Sequence, residues 1–217
     1  MTMTPSVRKL ALAAHVTSSV GWLGALAVFL AHAVASVFSR DDQVVRAVSI
    51  AMGLTAWFVI LPLSLASLVT GLVQALGTAW GLFRHYWVLF KLLLTAVATG
   101  VLLLKLGPIG QMATAATETA SSSDLLGGLR TSILLHALGG VLVLLAVLTL
   151  AVYKPRGMTP YGTRKLLEQA GAGARHEPGD ASGTPLWVQA FTVLVVLLGL
   201  MLSVMLLRGG HGPAVHL

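Results

Sequence analysis

Four histidines stand inside or at the mouth of long apolar runs: His15 and His32 in the first, His85 opening the third, and His136 in the fourth. An ionisable ring in a hydrocarbon setting is expensive to keep, which makes each a candidate for function. Acidic residues are missing from all of these runs. That removes the usual carrier of proton coupling and the paired carboxylates of an intramembrane aspartyl protease, and it disfavours a classical ion-coupled transporter. The chain has no cysteine, so disulfides, thiolate zinc sites, iron–sulfur clusters and cysteine nucleophiles are excluded. Any metal must rely on histidine, methionine or carboxylate. No Walker loop, dinucleotide fingerprint, HExxH or GxSxG occurs, and ATP hydrolysis, zinc proteolysis and esterase chemistry find no support.

The elements that must position these rings follow from composition. Of 217 residues, 56% are hydrophobic and only 10% charged, with a mean hydropathy of +0.88, far from a soluble domain at about 25% charged. Five apolar segments, about 10–38, 47–76, 87–106, 129–153 and 185–207, each reach the roughly 20 residues that cross a bilayer. They lack the alternation of a membrane barrel, so the expected fold is all-α: one polytopic transmembrane helical bundle of five spans. The first run follows the basic Met1–Lys9 segment but is too long for a signal-peptide core, and is read as a retained helix.

Basic residues set the expected orientation. The N-terminus and the second and fourth loops hold Arg8, Lys9, Arg84, Lys91, Lys154, Arg156, Arg164, Lys165 and Arg175, against Arg40, Arg46, Lys105, Arg130 and Arg208 on the other side. The N-terminus is expected inside and the C-terminus outside, in a bacterial plasma membrane. Trp80, Tyr86, Trp87, Tyr153 and Trp187 fall at the inner ends, where amphipathic rings favour the headgroup level. The net charge of +7 then describes basic loops against anionic lipid, with no need of nucleic acid. Residues 111–124 and 171–184 are expected to be flexible loops. Pro62 should kink the second helix, and the segment YKPRGMTPYGTRK is expected to turn tightly along the inner surface without extending a helix.

With a rise of about 1.5 Å per residue, His15 and His85 lie roughly 13 and 16 Å inward of mid-span, and His32 and His136 about 12 and 8 Å outward. Inner and outer pairs on different helices are what a membrane b-type cytochrome uses to clamp haem at two depths. His15 and His32 stand roughly 100° apart around their helix, which weakens a stacked pair. Gly139 and Gly140 follow His136 on the same face, leaving room for a flat macrocycle or for close helix packing. Ser18 and Ser19 are placed to orient His15. Arg84, His85 and Lys91 lie among Trp80, Tyr86 and Trp87. They read either as an interfacial belt with Lys91 snorkelling to the headgroups, or as a cationic site for haem propionates, a quinone headgroup or a lipid phosphate. Met52, Met112, Met201 and Met205 lie toward the expected outside, with His211 and His216 beyond them. That soft donor set suits copper(I), and methionine is also a common core filler.

The run AHVTSSVGWLGALAVFL, in which His15 is followed by Trp22, Leu23 and Gly24, resembles the opening span of copper-resistance D type membrane domains and related integral membrane families. WGLFRHYWVLFKLLLT and AVYKPRGMTPYGTRK resemble segments of small actinobacterial membrane proteins, a similarity that covers most of the chain. The resemblance implies His15 and Trp22 as functional candidates, and either copper handling or a relation to membrane b-type cytochromes. The chain departs from a full copper protein in having neither cysteine nor an MxxM pair. Three readings follow. One is a haem-b protein passing electrons between a quinone or redox partner protein and an acceptor, with His15 and His85, and His32 and His136, as axial ligands. The second is a copper-binding or copper-transporting protein. The third is a structural or assembly subunit with buried polar groups.

Overall fold

The structure, a computed structural model, describes residues 3–77, 81–117 and 123–170, together with Leu186, Gln189 and Val193. Apart from those three positions the expected fifth span lies outside the described residues, as do the 171–184 loop, Trp80, Trp187, Met201, Met205, His211 and His216. Within them the secondary structure is helical, apart from one isolated antiparallel bridge between His85 and Met158.

α1 runs Pro5–Phe38, with Pro5 in its first turn, where a missing donor costs nothing. α2, Asp42–Thr55, starts at Asp41, whose carboxylate accepts from the Gln43 and Val44 amides. A π turn, Ala56–Ile60, leads directly into α3, Leu61–Gly77. The Leu61 amide reaches back five residues to the Ala56 carbonyl. The helix thus widens one turn just before Pro62, where the regular ladder would meet a residue without a donor. α4 is Tyr86–Thr117, α5 Ser123–Tyr153 and α6 Pro160–Ala170. Four helical stretches, Pro5–Phe38, Asp42–Gly77, Tyr86–Thr117 and Gly127–Tyr153, are long and apolar enough to cross a membrane.

Two expectations fail. Much of the 111–124 segment is helix, because α4 continues to Thr117 and α5 begins at Ser123. Thr114 and Thr117 return their hydroxyls to the carbonyls of Gly110 and Thr114, which lets a polar run stay helical. The YKPRGMTPYGTRK segment turns only as far as Met158 and then forms α6. Thr159 caps it through the Gly162 amide at 3.0 Å, and Pro160 sits first.

The four long stretches alternate in direction and close into a ring: α1 packs on α2–α3 and on α5, and α4 packs on the same two neighbours. Small residues set the register. Gly71 lies against His15, Ser19 bonds Ser67 at 2.8 Å, and Gly21 meets Leu63, so α1 and α3 run antiparallel. Gly140 of α5 lies against Leu26 of α1, and Gly53 of α2 against Ala113 of α4. The core lies in the half away from the N-terminus and includes Trp22, Phe29, Ala33, Met52, Ile60, Met112 and Ile133. Outward residues such as Phe58 and Leu104 are exposed, as expected where the solvent is hydrocarbon.

Candidate functional site

His15 is only 7% exposed. Its Nδ1 lies 3.1 Å from both the Ser67 carbonyl oxygen and Thr70 Oγ1. A carbonyl can only accept, so Nδ1 carries the proton and donates. Thr70 spends its own hydroxyl proton on the Ala66 carbonyl at 2.6 Å, which leaves its oxygen free to accept. The other ring nitrogen, Nε2, stands 3.0 Å from Lys91 Nζ. With Nδ1 protonated, Nε2 offers its lone pair to the ammonium. The result is a directional chain, from Lys91 through a neutral imidazole to the α3 backbone. It crosses the bundle diagonally, between α1 and α4.

Sequence logic favours this arrangement locally. Lys91, Thr95 and Thr99 recur every four residues on one face of α4, and the threonine hydroxyls bond the carbonyls four residues back. Ser64, Ser67 and Gly71 form a small-residue face on α3, where Gly71 leaves room for the imidazole. A Cβ at that position would stand 3.0 Å from His15 Cε1. Ser18 hydrogen-bonds the His15 carbonyl and Ser19 bonds Ser67. The orienting contacts to the ring come from α3, not from the α1 serines that the sequence singled out.

This chain faces a cavity of about 530 Å³ at the end of the bundle that carries the N-terminus. Arg8, Lys9, His15, Gln74, Lys91 and Lys154 supply its polar wall, and Trp87, Leu12 and Leu68 belong to its apolar side. None of the described residues that line it is a carboxylate. Gln74 donates to the Ala11 carbonyl at 2.9 Å, tying α3 to α1 beside the opening. Lys91 thus points into the bundle toward His15.

The other predicted members separate. Arg84 and His85 lie in the turn before α4, where the His85 carbonyl receives the Val88 and Leu89 amides and its ring centroid is 6.5 Å from that of Trp87. There the chain is clasped to the end of α5. The Thr159 amide bonds the Arg84 carbonyl at 3.0 Å, Tyr86 bonds the Gly157 carbonyl at 3.4 Å, and Thr159 Oγ1 donates to the Phe83 carbonyl. The partner that His15 meets across the bundle is Lys91.

A second, apolar cavity of about 290 Å³ lies between α1, α4 and α5. Trp22, Phe29, Lys105 and His136 are among the residues that line it. His136 Nδ1 donates to the Ser132 carbonyl at 2.7 Å, so its Nε2 is the accepting nitrogen. That atom and His32 Nδ1 are both buried, and among the described residues neither has a hydrogen-bond partner. The register of Leu26 against Gly140 sets His32 opposite Leu134, two residues or about 3 Å from the level of His136. Gly139 and Gly140 border this cavity, and Gly140 also admits Leu26. Among the described residues no group of three His, Cys, Asp or Glu side chains gathers to hold a metal. Met52 and Met112, 0% and 1% exposed, are packed in the core.

Sequence reasoning missed Ser67, Thr70, Gly71 and Gln74. Their spacing along an otherwise apolar helix, three or four residues apart from Ser67 to Gln74, was the available signal. It also left Lys105 and Lys154 as flank charges, whereas each lines a cavity. No family model, curated protein or solved structure matches this chain.

Proposed function

We propose that this is a multi-pass protein of the bacterial plasma membrane that binds an anionic, phosphate-bearing headgroup in the cavity beside His15 and Lys91. In this reading the N-terminus and that cavity face the cytoplasm, and a fifth span over about 185–207 carries the C-terminus outside. The observation that supports it is an ammonium, Lys91, held by a neutral imidazole in a cavity whose described lining also includes Arg8 and Lys9 and no carboxylate. Lys91 is half-buried, and an arriving anion would pair with an ammonium that is costly to hold in apolar surroundings. Lysine and arginine donors suit phosphate oxygens, and the apolar wall suits the first carbons of an acyl chain. The test is equilibrium binding of short-chain phosphatidic acid and of phosphatidylcholine to the full chain in nanodiscs. Phosphatidic acid should bind at least tenfold tighter, and Lys91→Met should abolish the preference. Equal binding of the two lipids refutes the reading.

A second reading, haem b with electron transfer, draws support from the partner-free nitrogens of His32 and His136 at nearly one level. It expects a Soret band in the purified protein that disappears in both His32→Ala and His136→Ala. A colourless preparation that contains copper by elemental analysis would point to copper handling instead.

A further inference from the structure

The apolar cavity is not a closed void in the core. Its lining on α4 runs from Leu93 to Ile109, sixteen helical steps apart, a furrow about 24 Å long beside α5. At its flank Leu93, Val97 and Leu135 are 48%, 42% and 44% exposed, so the furrow opens sideways onto the surface that meets hydrocarbon. A molecule entering from there must itself be apolar and elongated.

Among the described residues that line this furrow, the ionisable side chains are Lys105 and His136. They offer opposite chemistry. The Lys105 ammonium can only donate, and with the His136 Nδ1 proton committed to the Ser132 carbonyl, Nε2 can only accept. A fatty-acid carboxylate or a phosphodiester would satisfy Lys105 and leave Nε2 facing another lone pair. A head that both accepts and donates satisfies the two together. Phe29, which lines the same cavity, lies opposite Ala137 when Leu26 is set against Gly140, so an aromatic ring stands at the level of His136. A flat ring bearing oxygens, with a long apolar tail, meets all three conditions.

We propose that the furrow between α4 and α5 binds an isoprenoid quinol, with Lys105 donating to a ring oxygen, His136 Nε2 accepting a hydroxyl proton, and the tail lying along α4. This site is separate from the anionic headgroup site and stands or falls without it. The test uses the full-length protein in detergent and a tritiated, decyl-tailed benzoquinol. Saturable binding is expected, weakened at least tenfold in Lys105→Met and in His136→Leu. Because His136→Leu alone could act by misfolding, the dimethyl ether of the same quinol is measured on the unaltered protein. It keeps the ring, the tail and the acceptor oxygens but has no hydroxyl proton, and should bind at least tenfold more weakly. Equal affinity for quinol and ether overturns the proposal, as does oleate binding as tightly as the quinol. A Soret band that disappears in His136→Leu also overturns it, since iron would then hold the nitrogen assigned to the hydroxyl.

Discussion

Removing either partner of the His15–Lys91 contact should have unequal effects, and the inequality is a direct test of its direction. Lys91→Met keeps most of the apolar stem and deletes the donor. His15 Nε2 then loses its partner, but it borders a cavity of about 530 Å³ with room for water, so the cost should sit near the low end of the range for an unsatisfied group, about 1 kcal/mol. His15→Ala is different. It strips the acceptor from an ammonium, removes the bond to the Ser67 carbonyl, and empties the space against Gly71. Losses of this kind total about 3 kcal/mol. A hydrogen bond to a charged group contributes about 1.5–3 kcal/mol, and the coupling in a double-mutant cycle should fall in that window. Reversible unfolding of the four proteins in mixed micelles, by titration with a denaturing detergent, supplies the numbers. Coupling below about 0.5 kcal/mol, within the additivity of independent sites, would show that Lys91 does not engage the imidazole.

Gly71→Val should displace the His15 ring, because even a Cβ there stands 3.0 Å from Cε1; phosphatidic acid binding should weaken while the helical circular dichroism signal is retained. Gly162→Ala should break the clasp on the turn before α4, since its Cβ would run into the Arg84 carbonyl oxygen, a backbone atom that cannot swing aside. Limited proteolysis should then cut within 154–159 where the unaltered protein resists. On α6, the Lys165 ammonium 2.9 Å from Glu168 holds that carboxyl below the usual carboxylate range. The depressed value means the contact contributes above the ordinary glutamate range and is lost as pH falls through the lowered one. Carboxyl-carbon NMR across an acid titration should show the Glu168 midpoint rising toward its ordinary value in Lys165→Gln.

The helical class was legible because apolar runs of this length admit few alternatives, and the spans near 10–38, 47–76, 87–106 and 129–153 all fall within long helices. Their ends were less legible. Composition marks Thr, Ala and Ser runs as loops, yet Thr114 and Thr117 satisfy their hydroxyls on the helix itself. The site was half legible. His15 and Lys91 were visible as polar groups in apolar surroundings, and Lys91 was among the residues assigned to hold an anion. That they touch was not visible, because 76 residues separate them and the contact depends on the α1–α3 register. That register is held by Ser19 on Ser67 and Gly21 on Leu63, pairings between helices that periodicity along one helix does not reveal.

The clasp between 83–86 and 157–162 bears on how the headgroup cavity keeps its shape. Trp87 and Lys91 reach the cavity from the first turns of α4, and Ala151 and Lys154 from the last turn of α5 and its exit. Side chains of like charge at that rim repel one another and would splay the two helix ends apart if only they joined them. The backbone holds them instead. Thr159 bonds the Phe83 and Arg84 carbonyls, Tyr86 bonds Gly157, and Gly162 permits the close approach. Lys154 takes a positive φ of 42° at the point where the chain leaves α5, directing it toward the clasp. A rim fixed by peptide groups leaves its cations assembled before any anion arrives. Under the proposed headgroup reading, an anion that binds there would relieve this repulsion, which would add to the driving force for occupancy.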